Sequence, residues 1–110
     1  DRDALEQMRQ AADRVHVSEA VMQYIIRLVN ATRKHPQLLQ GASPRATLAV
    51  TGLSRAVAFL RARDYVVPED VQAIWVDAVA HLLVPGAERS VDVQEIARAA
   101  LRSVDAPRIR

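Results

Sequence analysis

The chain has 110 residues, half of them apolar and a quarter charged, with three Gly and five Pro. That is enough for one domain with its own core, and it is not the composition of a disordered or fibrous protein. The absence of Cys excludes disulfides and thiolate metal sites, and no stretch reaches the roughly 18 uncharged apolar residues of a membrane span, because Arg27, Arg55 and Asp77 interrupt the richest ones.

The chain opens on Asp1-Arg2-Asp3, with neither Met nor a signal-peptide pattern. Residues 1–110 are therefore expected to be a single domain cut from a longer protein. The net charge is +2 and the basic side is almost wholly Arg, Lys34 being the only Lys. Nucleic-acid binders concentrate such charge on one face or arm, whereas here Arg recurs from Arg2 to Arg110 with acidic residues among them. Tyr24, Phe59, Tyr65 and Trp75 are too scattered for a base-stacking platform. A helical nucleic-acid-binding module remains the rival reading, and its missing feature is a basic recognition helix.

Apolar spacing predicts five helices. The first runs from Asp3 to about Arg14 on a narrow stripe of Leu5, Met8, Ala12 and Val15. Ser18 then caps a second helix that ends near Lys34, with Val21, Tyr24, Ile25, Leu28, Val29 and Thr32 on its inner face. The segment from Pro36 to Ser43 reads as a loop.

Ser43-Pro44 restarts the chain, since Ser can cap the first turn and Pro at the first helical position loses no hydrogen bond. The third helix is predicted to run to about Arg63. Ala46, Ala49, Val50, Leu53, Ala56, Val57 and Leu60 form its core stripe, and Thr47, Thr51, Ser54, Arg55 and Arg61 its polar side. Gly52 within it costs about 1 kcal/mol relative to Ala and points to close approach of another helix.

A short extended link, Asp64 to Val67, leads to Pro68, which opens a fourth helix with Glu69 and Asp70 at its positively polarised start. Its buried stripe is Val71, Ile74, Trp75, Ala78, Val79 and Leu82, and Pro85-Gly86 ends it. A last helix, about Asp92 to Ser103, carries Val93, Ile96, Ala97, Ala100 and Leu101. Val15-His16-Val17 and Tyr65-Val66-Val67 alternate briefly and can pair as two very short strands. The fold class is all-α, a small bundle with short connections.

Little of the chemistry-bearing repertoire is present. His16, His35 and His81 have no ligand spacing, so no zinc site is supported. Glu69-Asp70 is explained by the helix dipole without acid–base work. One Lys and three Gly do not supply a G-x-x-x-x-G-K-[ST] phosphate loop, so the chain alone is not expected to be an enzyme.

Gly41-Ala42-Ser43-Pro44-Arg45-Ala46 stands apart. An Arg in a helix's first turn meets the positive end of the macrodipole, at a cost of about 0.3–1 kcal/mol unless an anion lies near. Arg45 either serves a phosphate, for which helix-start amides and a planar guanidinium are suited, or points to solvent or a carboxylate.

Three segments then carry a resemblance: Val17-Ser18-Glu19 through Asn30-Ala31-Thr32-Arg33, the Gly41–Ala46 motif, and Arg63-Asp64-Tyr65-Val66-Val67-Pro68-Glu69-Asp70-Val71. Together, over roughly residues 10 to 107, they resemble the C-terminal lid domain of MoxR-type AAA+ ATPases. The resemblance implies a helical lid packed on a P-loop core, with Arg45 as the sensor-2 arginine that reaches the nucleotide phosphates and Pro44 beside the nucleotide.

By the same resemblance, the full-length protein is a cytoplasmic, chaperone-like remodeller that binds ATP and Mg2+. It forms a homo-oligomeric ring and works with von Willebrand factor A domain proteins, with no nucleic acid among its partners. Tyr24 and Ile25 line the adenine side or, as their spacing favours, belong to the core. There are two departures from the family: Val67 stands where Thr is usual and removes a helix cap, and Val79-Ala80-His81-Leu82 replaces an Arg-His-Arg-Leu pattern.

Overall fold

The computed structural model describes residues 2–33, 44–83 and 93–108. Within them lie five α-helices: α1 (Arg2–Asp13), α2 (Glu19–Arg33), α3 (Pro44–Leu60), α4 (Pro68–Ala78) and α5 (Val93–Ser103). A π-helical turn, Val79–Leu83, continues α4. The all-α expectation is met. The predicted loop from Pro36 to Ser43, the Ser43 cap, the Pro85-Gly86 stop, the start at Asp92 and the position of His35 fall outside the described residues.

Helix α3 lies against α1, α2 and α4, most extensively α4, while α5 packs on α2 and α4. The core holds Val21, Tyr24, Ile25 and Leu28 of α2, Val50 of α3, Val66 of the link, and Val71 and Trp75 of α4, all at most 1% exposed. Burying an indole strands its N–H unless an acceptor is near; Trp75 Nε1 donates to the Ala97 carbonyl at 2.9 Å and so ties α4 to α5.

Ser18 caps α2 as its sequence position implies, accepting the Val21 N–H at Oγ (3.2 Å). The proposed strand pair contracts to one parallel bridge: the His16 N–H donates to the Asp64 carbonyl at 2.8 Å and the Val66 N–H to the His16 carbonyl at 2.9 Å. That bridge joins the α1–α2 link to the α3–α4 link.

The first helix forms but carries no buried residue: Leu5 is 66% and Met8 48% exposed, and only Val15 beyond its end enters the core. Among the helices, α1 rests on α3 alone.

The face assigned to α3 is rotated relative to expectation. Leu53 and Leu60, predicted as core, are exposed, whereas Thr51 and Ser54, predicted as polar, are buried with Ala46, Val50 and Ala58. The hydroxyls enter the core because each donates within its own helix, Thr51 Oγ1 to the Thr47 carbonyl (2.7 Å) and Ser54 Oγ to the Val50 carbonyl (2.8 Å), leaving no unsatisfied donor. Gly52 is exposed, and a Cβ built on it meets nothing within 4 Å, so it marks no close helix approach.

Helix α3 also stops three residues before its predicted end. Its C-terminus forms a Schellman turn: the Arg63 N–H reaches the Ala58 carbonyl at 2.9 Å and the Ala62 N–H the Phe59 carbonyl at 3.0 Å. Ala62 sits in the left-handed region at φ 59°, which breaks the helical path. Apolar spacing does not register this, because the residue there is Ala rather than the usual Gly.

Candidate functional site

Arg45 is the second residue of α3 and is exposed, next to Ala46, which is 5% exposed and anchors the first turn in the core. The first turn of α3 holds no acidic residue. An α-helix presents its first amides without intrahelical acceptors and with partial positive charge. At this end of α3 a guanidinium is therefore added to an already positive terminus, an arrangement suited to an anionic oxygen. Pro44 occupies the first helical position, and the remainder of the Gly41–Ala46 motif falls outside the described residues.

The opposite end of α3 carries the densest polar arrangement, and sequence reasoning did not foresee it. Asp70, read as an acid that complements the helix dipole, is fully buried. Arg63 grips both its carboxylate oxygens at 2.6 Å, Arg61 donates to Oδ1 at 3.2 Å, and the Val67 N–H donates to Oδ2 at 2.9 Å. Arg63 also donates to the Tyr65 carbonyl at 3.2 Å and lies over the Tyr65 ring, 5.9 Å from its centroid.

Burial pushes the Asp70 carboxyl up, but the Arg63 hydrogen bonds, the Val67 amide and the two cationic charges outweigh it and hold the group below the usual carboxylate range. Hydrogen bonding to Asp70 in turn raises Arg63. A carboxylate three residues into a helix, able to reach back to the N-cap amide, was the available sequence signal. That both arginines of Arg61-Ala62-Arg63 turn toward it follows from the Schellman turn, which spacing alone does not show. This clamp is a joint: it fixes the end of α3 to the start of α4.

Tyr24 and Ile25 are 1% and 0% exposed and belong to the core, with the Tyr24 hydroxyl accepting from Gln72 Nε2 at 3.3 Å. Val67 is the N-cap of α4 and makes no side-chain cap hydrogen bond. His16 and His81 are both exposed, and among the described residues no group of three or more His, Asp and Glu is placed to hold a metal ion. No described helix is long and apolar enough to cross a membrane.

Comparison with known proteins adds the context of these elements. The sequence profile of the AAA lid domain matches residues 30–100, which takes in both Arg45 and the clamp. Chaperone MoxR1 of Mycobacterium tuberculosis is 42% identical over 77 residues, 62% of this chain and 20% of that protein. The uncharacterized protein YeaC of Bacillus subtilis is 30% identical over 103 residues, 91% of this chain and 32% of that one. The crystal structure of a proposed ATPase from Cytophaga hutchinsonii superimposes with a TM-score of 0.71 at 30% identity, covering 90% of this chain and 34% of that one. The chain thus spans about a third or less of the length of the proteins it resembles.

Proposed function

The chain belongs to the AAA lid domain family, as a lid of the MoxR type, and from that premise we propose that residues 1–110 form the C-terminal lid of a MoxR-like AAA+ ATPase, with Arg45 as its sensor-2 arginine. The observation that carries the reading is the position of Arg45, an exposed residue in the first turn of α3, a turn without an acidic residue of its own and backed by the buried Ala46.

In this role Arg45 binds and orients phosphate oxygens. It favours the charge on the transferring phosphoryl group and couples lid position to the nucleotide, because the cation comes from a domain separate from the phosphate cradle. In the same reading Pro44, the first residue of α3, lies beside the nucleotide. The lid's own contribution to the phosphates is the guanidinium of Arg45 in the first turn of α3. In this reading the phosphate loop and metal ligands of an ATP-Mg2+ site belong to the core domain, this lid's immediate partner. The full-length protein is a cytoplasmic, ring-forming remodeller with a chaperone-like role toward von Willebrand factor A domain proteins.

The test is Arg45→Ala in the full-length ATPase. ATP turnover is expected to fall at least about tenfold, since arginines that neutralise phosphoryl charge carry large rate effects, while the melting temperature of the 1–110 fragment holds. Arg45→Lys restores turnover only in part, because a point charge does not reproduce the planar fork. Arg27→Ala, at an exposed position of α2, serves as the control. Turnover unchanged by Arg45→Ala overturns the sensor-2 assignment. Sub-micromolar binding of the fragment to duplex DNA at physiological salt would instead favour the nucleic-acid reading.

A further inference from the structure

We draw no further inference here: the strongest candidate, the apolar groove between α1 and the outer side of α3 lined by Met8, Gly52, Ala56, Phe59 and Leu60, is an unpartnered face, and nothing in the structure shows what covers it.

Discussion

Arg63 and Asp70 meet as a two-pronged pair, Nη1 on Oδ2 and Nη2 on Oδ1, both at 2.6 Å, across the link between α3 and α4. Asp70 is wholly buried, and the Arg63 side chain is 23% exposed. Such a pair is not by itself a large source of stability, but removing one partner leaves a buried charge uncompensated. Arg63→Ala is therefore expected to destabilise the chain by about 3 kcal/mol or more, read as a lowered denaturation midpoint at unchanged slope. Asp70→Asn should also destabilise, because it loses the charge that both arginines share. A midpoint within error of wild type for Arg63→Ala would show that Arg61 alone suffices.

The same pair sets an acid dependence. Asp70 titrates lower in the folded chain than in the unfolded one, so the unfolded state binds more protons as pH falls. The contribution is whole above the unfolded carboxyl value of about 3.9 and is lost as pH drops from there through the lower folded value. Denaturation midpoints measured from pH 6 down to about pH 2 should fall steeply below about pH 4, and Asp70→Asn should flatten that fall. An equally steep fall in the variant would assign the acid sensitivity to other carboxylates.

Ala62 occupies a left-handed position, φ 59°, that glycine adopts at no steric cost. For an L-residue that conformation costs about 1–2 kcal/mol, partly offset by the greater freedom of glycine in the unfolded chain. Ala62→Gly is expected to raise stability by about 0.5–1 kcal/mol. Ala62→Val should lower it, since a β-branched side chain resists the left-handed region further. Thermal melts of the two variants, moving in opposite directions from wild type, check the assignment.

Gly52 is the converse case. It lies within α3, and an added Cβ meets nothing within 4 Å. Gly52→Ala should therefore stabilise the isolated chain by about 0.8–1 kcal/mol through helix propensity alone. A drop in melting temperature instead would mean that α1 packs closer to this position in solution.

Val67 offers a smaller gain. Its own amide is already satisfied by the Asp70 carboxylate, and its carbonyl accepts the Asp70 amide at 2.9 Å. A Thr hydroxyl at this N-cap would still accept from an amide of the first turn of α4. Val67→Thr is expected to add about 0.5–1 kcal/mol, measured as a shift in denaturation midpoint; a lowered midpoint would show that the packing of the valine methyls outweighs the cap.

Where local chemistry decides, the sequence was legible. The Ser18 cap, the Pro68 start, the inner face of α2 and the stripe of α5 follow from hydroxyl, ring and 3.6-residue period, and each appears in the structure. So does the start of α3 at Pro44-Arg45, because proline and the residue after it are positioned by the first turn itself. Tertiary structure decided the rest. Helix α3 is apolar or small on nearly every side, so its period does not choose a face; α2 and α4 choose it, and Thr51 and Ser54 go inward because their hydroxyls bond within the helix. Asp70 looks like a surface acid until the Schellman turn at Ala62 swings two arginines onto it. A buried charge is permitted only by partners brought from elsewhere in the chain, and their convergence is a property of the fold rather than of any one segment.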